Sequence, residues 1–332
     1  QALTVLTNKA SWVKWRTDRL TYDQMQSCLD VEFGGMGEVL ANLYAVTGNP
    51  DHLAVSQRFE KKWFLDPLAQ GIDNLKGLHS NTHVPQVIAA AREYELTAEQ
   101  RYQDIATFFW HQVVEARSYV TGGSSNYEFW RTDPYQLAGE LSDNSQETCC
   151  TYNMLKLTKH LFSWYAGACY GDYYERALLN HILVVQYPGA AISAFAGMNS
   201  YYTSLVGGHW KIFHTPYDSF WCCTGTGMED PARYGESIYF HDANGLYVNL
   251  FIASELNWSE KGVVIRQETQ FPAEEGTTLV INTAQPVNMP IRIRVPYWVA
   301  AGAEVRINGE VVATNLTPST FVELNRTWND GD

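Results

Sequence analysis

Two short stretches of this chain concentrate groups able to hold a soft metal ion. QETCCTYNMLKL at 146–157 carries Glu147, Cys149 and Cys150, and SFWCCTGTGMED at 219–230 carries Cys222 and Cys223. Thiolates are strongly donating zinc ligands, and a carboxylate can supply a harder fourth donor at a tetrahedral centre. Glu147 and Cys149 stand two apart, so an extended backbone would send both side chains to the same side. The adjacent Cys222 and Cys223 need an irregular turn to converge, and the TGTG that follows supplies permissive backbone. Cys150 would demand a different backbone path and stays outside the set, while Cys28 and Cys169 read as ordinary buried cysteines. By spacing alone, two separated CC pairs fit core cysteine as well as metal or redox chemistry.

Other residues could serve acid, base or hydrogen-bonding roles. Glu128 and Glu140 both follow glycines upstream of the first CC motif, with a solvated surface glutamate as the competing reading of each. His79 and His83 in LKGLHSNTHVP could donate to hydroxyls or be satisfied structural histidines. His160 and His181 fall within helical pattern and read as structural. The TGTG run lacks the lysine and the strand-to-helix setting of a nucleotide loop.

These groups must be positioned by helices first and strands later. Met36, Val39, Leu40, Leu43 and Tyr44 recur at helical spacing, and TGNPD then stops one helix and caps the next. An apolar run follows through Leu53, Val55, Phe59 and Trp63. Helical pattern returns near 83–96, with Pro85 in the first turn, near 99–118, from Tyr152 through Trp164, and from Tyr173 to about Val185. The period then changes. MPIRIRVPYW at 289–298 puts Ile291, Ile293, Val295 and Tyr297 on one side and Arg292 and Arg294 on the other, a half-buried strand. Runs at 245–256, 263–269, 277–282, 303–307 and 320–325 are similarly β-rich. The expected division is a helical region over 1–239 and a β-sandwich domain over 240–332, its last strand missing.

Composition narrows the partners. The 332 residues include 11 Trp and 20 Tyr, flat amphipathic rings that can fill cores or stack on sugars. Net charge is −13 with no basic block, which argues against nucleic acid or an anionic membrane surface as partner. No apolar stretch approaches the ~18 residues of a spanning helix, so no membrane insertion is expected. The opening QALTVLTNKASW and the closing NRTWNDGD both read as cuts in a longer chain. Sequons at Asn257, Asn315 and Asn325 leave secretion or a periplasmic location open.

Six segments in order, VEFGGMGEVL (31–40), LKGLHSNTHVP (75–85), TGGSSNYEFW (121–130), QETCCTYNMLKL, DYYERALLNHIL (172–183) and SFWCCTGTGMEDPARYGESIYF (219–240), resemble the glycoside hydrolase family 127 and 146 β-L-arabinofuranosidases. The resemblance implies an (α/α)6 barrel, here lacking upstream helices, followed by an antiparallel β-sandwich. It implies Zn2+ held by Glu147, Cys149, Cys222 and Cys223, with Cys222 as nucleophile. It favours Glu128 over Glu140 as acid/base, and puts His83, with His79, Glu175 and Tyr202, near the substrate, Tyr201 being the alternative register to Tyr202. The implied activity is retaining, exo-acting hydrolysis of a terminal β-L-arabinofuranoside in a glycan or oligosaccharide. Sequence chemistry alone leaves Cys223 as capable a nucleophile as Cys222. A related furanosidase, a zinc-stabilised carbohydrate-binding protein without catalysis, and a hydrolase using metal-bound water are the competing readings.

Overall fold

The computed structural model describes residues 1–187 and 197–332. They form two compact units, one of Gln1–Leu161 with Arg176–Asp230 and one of Phe162–Glu175 with Pro231–Asp332.

The first unit is built on helices α1 (Ala2–Thr17), α2 (Tyr22–Cys28), α3 (Met36–Thr47), α4 (Pro50–Arg58), α5 (Lys62–Ala69), α6 (Ser80–Thr97) and α7 (Gln100–Val114). A long loop leads to α8 (Thr148–Tyr165), whose end from Phe162 belongs to the second unit together with most of α9 (Ala168–Ala177); the chain returns to the first unit at Arg176, continues as a π turn over Leu178–Ile182, and later enters α10 (Cys222–Arg233). The TGNPD signal acts residue by residue. Gly48 closes α3 in the left-handed region, the Asn49 side chain caps the Asp51 N–H, and Pro50 takes the first helical position. Such a cap contributes about 1 kcal/mol. The apolar run through Trp63 is two helices, because the chain turns between Phe59 and Lys61. Helix α6 begins at Ser80, not near 83, so Pro85 sits inside the helix and removes one internal donor. Its buried face carries Val84, Val87, Ile88 and Ala91. Each large-to-small change of a Val or Ile there would cost ~1–4 kcal/mol.

The second unit holds a mixed four-stranded sheet in the order β1 (Tyr239–His241), β2 (Leu246–Val248), β6 (Val287–Val295), β9 (Thr320–Trp328). A three-stranded sheet runs β3 (Ser254–Trp258), β4 (Val263–Glu268), β5 (Thr278–Thr283), and β7 (Glu304–Ile307) pairs with β8 (Glu310–Thr314). The pairings are antiparallel except β2 with β6, which is parallel. Leu246, Val248, Trp258, Val263, Ile265, Ile281, Met289, Ile291 and Trp328 form the core.

Strand β6 departs from the expected half-buried pattern at one residue. Arg292 meets Asp242 and Glu323 near the surface, but Arg294 is fully buried. Its guanidinium donates to Asp172 at 2.5 Å, to Glu175, and to the Asn249 carbonyl at 2.6 Å. The Trp298 indole N–H donates to the other Glu175 oxygen at 2.7 Å. Gly171 is required there, since a Cβ would come within 2.6 Å of the Arg294 side chain. Glu175, expected near substrate, therefore has both oxygens engaged by Arg294 and Trp298.

Candidate metal centre

The loop into α8 carries Glu147. Gln146, at φ +61°, turns the chain, and its N–H donates to the Ser125 carbonyl at 3.0 Å. Glu147 bridges to Tyr202 in a short antiparallel contact, and Thr148 donates its N–H and hydroxyl to the Tyr201 carbonyl at 3.0 and 3.1 Å. Cys149 then falls in the first turn of α8. Cys222 and Cys223 are the first two residues of α10, so they converge at a helix start and the TGTG lies within that helix, not in an irregular turn. The Asn199 side chain ties down the Cys223 carbonyl at 2.8 Å. Gly227 makes room for it, because a Cβ there would lie 2.7 Å from the Asn199 amide.

One carboxylate oxygen of Glu147 and the sulfurs of Cys149, Cys222 and Cys223 lie within 4.8 Å of one another. Cys149 and Cys223 are 3.2 Å apart, Cys222 and Cys223 3.9 Å, and Cys222 and Glu147 Oε1 3.7 Å. Ligands on ~2.3 Å bonds around a tetrahedral ion would be about 3.8 Å apart. The second Glu147 oxygen is buried with no hydrogen-bond partner among the described residues. Both cysteine sites open a helix, where the N-terminal partial positive charge favours thiolate. The donor set fits a divalent, thiophilic cation. Cys150 lies outside it, buried with its sulfur 3.5 Å from the Ser124 hydroxyl. Cys28 and Cys169 are exposed, contrary to the expected burial, and take no part.

Burial holds the Glu147 carboxyl well above its ordinary value, reinforced by Cys222, and it likewise raises Cys223. The Cys222 thiol moves the opposite way, down to about 2, because Cys149 and then Cys223 donate to it. Cys222 is also the exposed residue of the three, while Cys149 and Cys223 are buried.

Glu128 stands beside this cluster. It sits at φ +70° in a run with Ser125 and Tyr127 also at positive φ, strain of about 1–3 kcal/mol per residue. The run is pinned by Ser80, whose N–H and hydroxyl both donate to the Glu128 carbonyl, at 2.7 and 2.8 Å. The Tyr201 hydroxyl donates to Glu128 Oε1 and lies 3.5 Å from the Cys222 sulfur. Burial, with the Cys222 and Glu128 contacts, keeps that phenol protonated. His79 caps α6, its Nδ1 accepting from the Thr82 N–H at 3.1 Å. That contact leaves the proton on Nε2, which faces Glu128 Oε2 at 3.6 Å.

Of the other expected site residues, His83 packs its ring on Phe64 and donates from Nδ1 to the His79 carbonyl at 2.7 Å, its Nε2 having no partner among the described residues. Burial lowers it to about 4, so it is neutral at physiological pH. Thus His79, not His83, approaches Glu128. Glu140 instead accepts from the Asn126 amide at 2.7 Å. Tyr202 contributes its backbone beside Glu147, and its ring lies against Tyr201 at 4.5 Å. Tyr201 makes the hydroxyl contacts; spacing could not separate these neighbours, because either register places one tyrosine toward Glu147.

Two family models match. The one described as the beta-L-arabinofuranosidase GH127 catalytic domain covers residues 1–236, and the GH127 middle domain covers 245–332. Three solved structures share the fold. A glycoside hydrolase aligns at 23% identity and TM-score 0.70 over 89% of this chain and 54% of its own. A GH127 beta-arabinofuranosidase aligns at 21% and 0.72 over 89% and 50%. A GH127 beta-L-arabinofuranosidase from Geobacillus stearothermophilus T6 aligns at 21% and 0.70 over 89% and 52%. The present chain thus spans about half the length of these relatives. No curated protein matches it.

Proposed function

The chain belongs to glycoside hydrolase family GH127, and from that premise we propose that it acts as a retaining, exo-acting β-L-arabinofuranosidase on a terminal arabinofuranose of a glycan or oligosaccharide. The observation carrying this reading is the exposure of Cys222 alone among the three clustered cysteines, with the Tyr201 hydroxyl in contact with both Cys222 and Glu128. Zn2+ is the cation this donor set suits best, held by Glu147, Cys149, Cys222 and Cys223. When bound, it supplies charge that keeps thiolates deprotonated near neutral pH.

The side chains divide the chemistry. The Cys222 sulfur attacks the anomeric carbon while protonated Glu128 gives its proton to the departing oxygen, so a C–S bond forms as the C–O bond breaks. Glu128, now a carboxylate, takes a proton from water as the water oxygen displaces sulfur. Two inversions retain configuration. His79 is a proposed substrate contact through its Nε2–H. His83, whose Nδ1 is held by the His79 carbonyl, Glu175, whose oxygens are held by Arg294 and Trp298, and Tyr202 beside Tyr201 are further proposals for that role.

Methanolysis tests this reading. An aryl β-L-arabinofuranoside turned over in aqueous methanol should yield the methyl β-L-arabinofuranoside; the methyl α product, from a single inversion, would overturn it.

A further inference from the structure

The hydroxyl of Tyr201 touches both groups between which the proposed reaction runs, Glu128 Oε1 and, at 3.5 Å, Cys222 Sγ. Its place is fixed from two sides. The Tyr201 carbonyl accepts from Thr148, in the turn carrying Glu147 and Cys149, and its ring is flanked by Tyr202 at 4.5 Å and Trp221 at 5.6 Å. A phenol has one proton to donate, and here it has two acceptors whose charges alternate during a double displacement.

We propose that Tyr201 donates in turn to Glu128 and to Cys222, and that its main effect is to help sulfur leave in the second step. The proposal rests on the reading of Cys222 as nucleophile. Before attack, Glu128 carries its proton and sulfur carries the charge, so the phenol donates to sulfur. After attack, sulfur is an uncharged thioether and Glu128 is a carboxylate, so the phenol donates to Glu128. In the second step water loses a proton to Glu128, its oxygen bonds to the anomeric carbon, and the C–S electron pair returns to sulfur. The phenol keeps its own proton throughout; only its hydrogen bond moves. Departure returns the negative charge to sulfur, and a hydrogen bond donated by the phenol stabilises that charge as it forms. In the first step the same bond partly quiets the nucleophile, so its loss weighs less there.

The test is Tyr201→Phe, compared with the unsubstituted protein on an aryl β-L-arabinofuranoside with an activated leaving group. Metal content and melting temperature should be unchanged. Turnover should fall about 10- to 100-fold, the range for a hydrogen bond to a charged group. Rapid mixing should reveal a burst of phenol, intact-protein mass spectrometry a pentosyl adduct on Cys222 that the unsubstituted protein does not accumulate, and added methanol should speed the variant. Unchanged turnover, or a loss without burst and adduct, overturns the proposal and leaves Tyr201 a structural residue. If the unsubstituted protein cleaves no arabinofuranoside, the functional reading fails and takes the proposal with it.

Discussion

Cys222 and Cys223 follow one another in the chain and hold their sulfurs 3.9 Å apart, yet Cys222 is exposed and Cys223 is buried. Opening a helix with a CC pair produces this split, because consecutive helical side chains diverge by about 100° around the axis. Cys223 closes the cluster of candidate ligands from inside, while Cys222 lies at the surface. Cys222→Ser should therefore lose turnover by roughly 10^4-fold or more, as removal of a nucleophile does. Cys223→Ser should show its first deficit in metal content, measured by elemental analysis.

The protein should bind one thiophilic cation per chain. Cys149→Ala and Glu147→Ala should each reduce that stoichiometry, whereas Cys150→Ala should leave it intact, since Cys150 contacts Ser124 outside the cluster. Chelation should lower the melting temperature of the native protein, because an ion bound only by the folded state stabilises it by mass action.

Glu128→Gln should slow substrates with poor leaving groups by about 10^2- to 10^4-fold and activated aryl substrates far less. Glu140→Gln should change neither, because Glu140 is engaged by Asn126. Equal losses across leaving groups would move the acid role away from Glu128.

Glu175→Gln separates two roles. A carboxylate paired with the fully buried Arg294 predicts destabilisation of about 3–5 kcal/mol in denaturant titration with little change in KM. A residue contacting substrate predicts the reverse.

Glu93 on α6 supplies a pH signature. The Ser56 hydroxyl lies 2.8 Å from the Gly37 carbonyl and 2.6 Å from Glu93 Oε1. One hydroxyl proton cannot satisfy both acceptors, so Glu93 brings its own, and burial raises its pKa to about 8 against the favourable but weaker pull of Ser56, Lys62 and Arg101. Nearby Glu60 pushes in the same direction as burial. The folded state thus holds a proton that the unfolded chain has lost above about 4.5. That contribution to stability is full below pH 4.5 and is lost as pH rises toward 8, a change on the order of a few kcal/mol. Melting temperatures of Glu93→Gln should be flatter across this window than those of the native protein.

The four candidate ligands were legible through the resemblance carried by two short CC motifs, whereas their spacing alone fitted core cysteine equally well and suggested an irregular turn where α10 begins. The TGNPD punctuation and the alternation of Ile291 and Val295 were legible directly, since each depends on local backbone chemistry. What escaped required tertiary contact. Period two assigns Arg294 to solvent, and it is the carboxylates of Asp172 and Glu175, more than a hundred residues earlier, that balance its buried charge. The start of α6 at Ser80 depends on His79 capping Thr82, a role the histidine side chain takes over from the usual Ser or Asp. Tyr201 was one of two equivalent neighbours until the contact between Glu147 and Tyr202 fixed the register.

The most direct test is covalent labelling with a mechanism-based β-L-arabinofuranose reagent, followed by peptide mass spectrometry. The account predicts one adduct per chain, on Cys222, formed in step with loss of activity and prevented by substrate. An adduct on Cys223 or Glu128, or none from a protein that turns over β-L-arabinofuranosides, would contradict it.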